Sequence, residues 1–351
     1  MPTQGDYSSP CPHLKERARK VHKLTKLSKK ARAIACAVVI VSSIGFWGDY
    51  ASANSKDVTL VTHDSFVMSK ALVADFNKST GFNLKLVKAG DVGALTNRLI
   101  LTKGSPIGDA VFGIDNTFAG LAKSNGILVG GLTPTDFGDV CFNYDKRWFA
   151  AHKVTAPSSV KQLTLPKYKA LTVIENPNLS STGLSFLAAS IDLFGANNWK
   201  GFWKAMKNNG VKVDSGWEAA YYTDFSGSSG KGKFPIVLSY ATSPADEVRA
   251  DGKSQTVSIM DGCFRQTEYV GVLKGAKNPA GAAAIVKYLT SPKFQATFPT
   301  AMYMYPHVNG TPIPASWSKF TRMANVTYGD TLNITANRKS WLAQWSAIFT
   351  K

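Results

Sequence analysis

The sequence predicts an α/β protein of two lobes with a ligand cleft between them. Three observations lead there. Strand-like and helix-like segments alternate along the chain, the alternation recurs in two separate blocks, and 351 residues is long for one compact core.

The elements follow in order. Asp57–Thr62 alternates and is β-rich, so it reads as the first strand. Met68, Leu72 and Phe76 then repeat at four-residue steps, a helical stripe with Asp64 or Ser65 as its expected cap and Gly81 as its stop. Leu84–Val87 is a strand, Gly90-Asp91 a turn, and Leu95, Leu99 and Leu101 mark a helix. Asp109–Phe112 is a strand that leads through Gly113–Asn116 into a short helix ending at Leu121. The second block begins with strands at Val140–Asp145 and Ala170–Ile174, and a helix over Leu184–Leu193. Phe234–Ser239 reads as a buried strand, followed by a helix at Ala245–Ala250 and strands at Val257–Met260 and Val272–Lys274. Ala282, Ile285, Val286 and Leu289 form a helical stripe, Ser291-Pro292 starts another helix, and Trp341, Leu342, Trp345 and Ile348 mark the last.

Residues 1–53 differ from the rest. A run of nine Lys and Arg between Lys15 and Arg32 precedes an apolar stretch from Ala33 to Trp47, and Ala51-Ser52-Ala53 follows. Basic, apolar, then small-residue site is the order of a secretory signal. The apolar part is shorter than the ~20 residues of a spanning helix. An uncleaved signal anchor is the competing reading. The formal charge is +18, of which the leader supplies +6. The remaining lysines are scattered, which reads as solubility and attraction to an anionic envelope rather than nucleic-acid recognition. Only Cys141 and Cys263 remain after the leader, and an exported chain sits where disulfides persist, so these two are expected to be bridged.

The sequence makes no positive case for catalysis. It has no Gly-x-Ser-x-Gly elbow and no Walker loop, and His63, His152 and His307 stand at no zinc-ligand spacing. Neither a cofactor nor a metal is expected. The predicted strand ends instead carry carboxylates and aromatics. Asp64, Asp91 and Asp115 follow the first three strands; Trp217, Tyr240, Tyr303 and Tyr305 bring rings. Flat faces beside carboxylates suit a flat organic cation. Ser180, Ser181, Thr182 and Gly183 precede a helix, where hydroxyls and free N–H groups suit a phosphate. Each has a plainer alternative: a cap for Asp64 and the serine run, core packing for the rings.

Several segments resemble the periplasmic thiamine-binding proteins, members of the type 2 periplasmic binding protein superfamily. They are Thr59–Phe66, Ile114–Asn116, Phe142–Lys146, Ser215–Tyr221 and, most specific, Leu238-Ser-Tyr-Ala-Thr-Ser243-Pro244. The resemblance runs in order through residues 57–348. It implies a two-lobed periplasmic binding protein fold with crossing hinge strands, residues 54–138 with about 265–300 forming one lobe and about 139–264 with 301–351 the other. It implies an extracytoplasmic monomer that takes thiamine or a thiamine phosphate and delivers it to the permease and ATPase of an ABC importer. On the resemblance, Asp91 lies near the ligand, Trp217 and Tyr240 touch its rings, and Ser180 and Ser181 lie at its phosphate end. His63, Lys70 and Asp246 stand where the family can show aromatics, and Tyr303 replaces a tryptophan. The candidate contacts are therefore His63, Asp64, Asp91, Asp115 and Ser180–Gly183, together with Trp217, Tyr240, Ser243, Tyr303 and Tyr305. The alternatives are the same fold holding ferric ion or a polyamine, and an exported hydrolase using Ser180 or Ser181.

Overall fold

The computed structural model of the chain describes residues 55–350. The expected leader, 1–53, lies outside them. The first half-sheet is built from β1 (Asp57–Thr62), β2 (Asn83–Lys88) and β3 (Ala110–Asp115), with α1 (Lys70–Thr80), α2 (Val92–Leu101) and α3 (Ala119–Ser124) between and after them. β1 pairs in parallel with both neighbours. Ser69 caps α1 by accepting from the Leu72 amide, so the helix starts later than the expected Asp64 or Ser65 cap. The Asp64 carboxylate is instead turned to the Gly90 amide, 3.0 Å away. Asp91 caps α2.

Two 18-residue strands, β4 (Leu128–Asp145) and β8 (Thr256–Leu273), pair antiparallel along their length, from Leu128↔Leu273 to Asp145↔Thr256. They join β3 on one side to a second parallel half-sheet on the other. That half contains β5 (Thr172–Glu175), β6 (Lys212–Asp214) and β7 (Ile236–Tyr240), giving the order β2-β1-β3-β8-β4-β7-β5-β6. Two parallel half-sheets linked by long crossing strands make the two-lobed periplasmic binding protein fold. α4 (Lys146–Ala151), α5 (Ser181–Phe194), α6 (Trp199–Asn208) and the short α7 (Ser226–Ser229) follow in the second block. α8 (Pro279–Leu289), α9 (Pro292–Gln295) and α10 (Phe298–Ala301) lead to β9 (Tyr305–Pro306), which pairs with β4; α11 (Ala315–Ser318) and α12 (Ile334–Phe349) close the chain.

Apolar burial holds each block together. Val58, Leu60, Phe76, Phe112, Ile285 and Phe298 pack the first. Phe142, Phe186, Trp203, Leu238 and Trp345 belong to a larger core that reaches through the second. Trp203 and Trp345 meet edge to face at 5.7 Å, which anchors α12 on α6. Cys141 of β4 and Cys263 of β8 form a disulfide, spanning 122 positions of sequence.

Three further sequence expectations change. Val257–Met260 and Val272–Lys274 are not two separate strands, because β8 is continuous from Thr256 to Leu273. Its polar middle, Phe264–Thr267, holds strand form because β4 pairs along it, and β3 joins from Glu268 onward. β4 begins twelve residues before the expected Val140, through a Gly- and Pro-bearing stretch with no strand signature of its own. The expected helix at Ala245–Ala250 is only a 3-10 turn, Ser243–Ala245; a turn then returns the chain so that Val248 bridges to Ser254. Among the described residues no helix is long and apolar enough to cross a membrane.

Candidate ligand-binding cleft

The carboxyl ends of both half-sheets open on one cleft, the place where α/β sheets hold ligands. A cavity of about 150 Å³ is lined from the first half-sheet by His63, Ser65 and Asp91, and from the second by Ser181, Thr182, Trp217 and Tyr240. Glu268 of β8, Glu218, Tyr222 and the segment Ala301–Met304 complete the wall. A second cavity of about 550 Å³ adjoins it, sharing Ser65, Asp91, Trp217, Glu218 and Tyr222, and extends past Asp64 and Gly216. Among the described residues, none that line either cavity is Lys or Arg.

The rings are fixed from behind. Trp217 stacks on Tyr221 at 4.9 Å with an interplanar angle of 13°, meets Tyr222 edge to face at 5.3 Å, and lies 6.3 Å from Tyr240. Its Nε1 donates to Ser239 Oγ at 2.9 Å; that hydroxyl lies 2.8 Å from Ser243 Oγ, which accepts from the Tyr240 amide. The hydroxyls of Tyr222 and Tyr303 both reach the Asp246 carboxylate. Tyr303 has a φ of 55°, uncommon for an aromatic residue and found where surrounding structure imposes it.

An acidic row lies at the floor. Cross-strand pairing places Asp115 of β3 opposite Glu268 of β8, and Glu268 opposite Asp136 of β4. All three are buried. Burial pushes the Asp115 carboxyl up to about 7, although Thr117 and the Phe118 amide bond its Oδ1. Burial, then the neighbouring Glu268, raises the Asp136 carboxyl well above the usual range. His63 Nε2 lies 3.3 Å from Glu268 Oε1. Burial works against the imidazolium, but Glu268 together with Asp91 and Asp64 outweighs it, and the His63 pKa is raised. Gly113 makes room for this ring: a Cβ there would lie 2.0 Å from His63 Cδ2. Burial also raises the Asp91 carboxyl, against the bonds that Trp217 and Val92 donate to it.

The cleft thus brings together His63, Asp64, Asp91, Ser181, Thr182, Trp217, Tyr240 and Tyr303 of the sequence candidates. Five others stand behind or away from it. Asp115 lies in the floor, where its carboxylate accepts from the Thr117 and Phe118 amides in the turn before α3. Ser180 is buried, its hydroxyl 2.9 Å from Thr182 Oγ1. Gly183 packs so closely on β5 that a Cβ would lie 2.5 Å from Glu175 O. Ser243 supports Trp217 through Ser239. Tyr305 stacks on Phe137 at 5.4 Å and meets Trp317, outside both cavities. Sequence reading did not single out Glu268, Glu218 or Tyr222. Glu218 and Tyr222 flank the Trp217 segment and were legible by adjacency; Glu268 carries no local signal, since its place depends on strand pairing. Among the described residues no group of three or more His, Cys, Asp or Glu could hold a metal ion.

Residues 114–318 match the family described as bacterial extracellular solute-binding protein. The chain belongs to that family. It is the solute-capturing subunit of an ABC importer, working outside the cytoplasm and binding its solute rather than transforming it. The thiamine-binding periplasmic protein of Escherichia coli K12 is 29% identical over 315 residues, covering 82% of this chain and 92% of that protein. A solved periplasmic thiamin binding protein superposes with a TM-score of 0.72 at 25% identity, covering 84% of this chain and 96% of that one. The apo ferric ion-binding protein A of Pasteurella haemolytica superposes at 0.64 with 15% identity over 84% of this chain and 98% of that one, which speaks to the fold alone.

Proposed function

We propose that this importer subunit captures thiamine in the cleft. The carrying observation is the composition of the wall: the rings of Trp217, Tyr222, Tyr240 and Tyr303 face the same cavity as Asp91, Glu218 and Glu268, with no Lys or Arg lining it among the described residues. Aromatic faces and carboxylates attract a delocalised cation by stacking, cation–π attraction and charge. The relatives that bear the thiamine-binding name support the same reading.

In this reading the thiazolium ring lies against Trp217 and Tyr240, and Glu268 and Glu218 supply the negative charge. Ser181 and Thr182, at the start of α5, face the end of the ligand that bears a phosphate in the phosphorylated forms. The lobes divide as 54–138 with about 265–300, and about 139–264 with 301–351, and the protein acts as a monomer. Closure on the solute presents the form that the permease and ATPase engage. Calorimetry on the exported protein tests the ligand: heat with thiamine or its phosphates and none with spermidine or ferric ion is expected. No heat with any thiamine form would overturn the assignment.

A further inference from the structure

At the mouth of the cleft the two lobes bond to each other directly. The first turn of α2 belongs to the lobe of the first half-sheet; the loops at 176–180 and 215–217 follow strands of the second. The Ala94 amide donates to Leu179 O at 3.2 Å. The Trp217 amide donates to Asp91 Oδ2 at 2.8 Å, while Asp91 Oδ1 accepts from its own helix at Val92, 2.6 Å away. The Ser180 side chain also bonds the Asp91 carboxylate. Asp91 is therefore held by protein donors on both sides of the cleft.

Two glycines permit this approach. A Cβ on Gly93 would lie 2.5 Å from Leu179 O, 2.6 Å from Leu179 C and 2.9 Å from Asn178 O. Those are backbone atoms, so relief requires the loop itself, and with it the lobe, to move back. A Cβ on Gly216 would lie 3.0 Å from Asp91 Oδ2. Neither residue has a positive φ, so the backbone conformation does not demand glycine; the opposing lobe does.

We propose that Asp91, Gly93, Leu179 and Gly216–Trp217 form a latch that holds the lobes closed by direct contact, independently of the solute. Gly93 and Gly216 are positioning residues in it. Gly93 lines neither cavity, so it controls closure without touching the ligand. A closed state held this way is populated before the solute arrives, and the solute shifts an equilibrium already inclined toward closure. The inference rests on the two-lobed solute-binding reading, but its primary readout is molecular shape.

Small-angle scattering on the exported chain, with and without thiamine, tests it. The wild type is expected to be compact without ligand and to change little when thiamine is added. Gly93→Val is expected to be expanded without ligand and to bind at least tenfold more weakly, with Gly216→Ala shifted the same way to a smaller extent. Thermal melts of the unliganded variants establish that they fold. A wild type that is expanded until thiamine is added overturns the latch, and this arm needs no variant. A folded Gly93→Val with wild-type dimensions and affinity overturns it also. A compact wild type and an expanded Gly93→Val that both ignore thiamine keep the latch and remove the thiamine reading.

Discussion

Trp217 is held at both ends of its indole. Tyr221 covers one face, and Nε1 is tied to Ser239, itself tied to Ser243. A ring so fixed loses little further freedom when a ligand stacks on it, which is why preorganised aromatics bind well. Trp217→Ala is expected to weaken thiamine binding by about 2 kcal/mol, roughly thirtyfold, through lost stacking and cation–π attraction; titration calorimetry measures it, and an unchanged dissociation constant removes Trp217 from the site. Glu268 touches the same cavity and faces His63, Asp136 and Asp115. Glu268→Gln keeps the shape and removes the charge. It is expected to weaken binding of the cation by ~1.5–3 kcal/mol, the range for hydrogen bonds to charged groups, while leaving the unliganded fold intact by circular dichroism.

β4 and β8 decide how the halves meet, because they run through both and pair along their whole length. Their register slips between Val140 and Phe142, where β8 carries extra residues, and the disulfide closes across that irregularity. Removing it by the paired change Cys141→Ser and Cys263→Ser is expected to cost ~2–4 kcal/mol in urea unfolding, mainly by freeing a long loop in the unfolded chain. Asp139 reinforces the same region. Its carboxylate takes two bonds from Arg265 of β8, at 2.8 and 3.0 Å, and one from the Ala324 amide at 2.6 Å. Arg265 is partly exposed, so the ion pair is discounted for solvent. Asp139→Ala is expected to cost about 2 kcal/mol through the charged hydrogen bonds lost, and to loosen the 320s segment in hydrogen exchange.

Over the whole molecule, burial raises several carboxyl groups above their usual range. Burial raises Asp115 and Glu247 to about 7 and Asp214 to about 6, and lifts Asp136 and Glu175 in the same direction. Between about pH 4 and pH 7 the folded chain keeps protons that the unfolded chain has released, so stability falls as pH rises through that window. His63 acts with the same sign, since its raised pKa contributes stability below about 6.5 that is lost as pH rises through the folded value. The lowered carboxyls Asp57, Asp75 and Asp224 act oppositely, but only below their usual range. The melting temperature of the unliganded protein is therefore expected to be higher at pH 5 than at pH 7.5. Asp115→Asn, which mimics the protonated acid and keeps an oxygen for Thr117 and Phe118, is expected to flatten that slope; a stability maximum at pH 7.5 contradicts this assignment of the buried acids.

The sequence alone determined the elements whose apolar residues carry a local signal: β1 by its β-rich run, α8 by the stripe of Ala282, Ile285 and Leu289, and α12 by Leu342 and Trp345. It also placed Asp91 between a strand and a helix and Tyr240 at a strand end, because a turn residue or an aromatic there is a local signal; Trp217 follows β6, a strand that was not among those expected. The stripe Trp199, Phe202, Trp203 and Met206 was equally readable, though α6 was not among the expected helices. Only the tertiary structure decided that β8 is one strand, that Glu268 stands between Asp115 and Asp136, and that Tyr305 turns to Phe137 and Trp317 instead of the cleft. Those outcomes depend on which strands lie side by side. Pairing joins residues more than a hundred positions apart, and no periodicity within one segment carries that information.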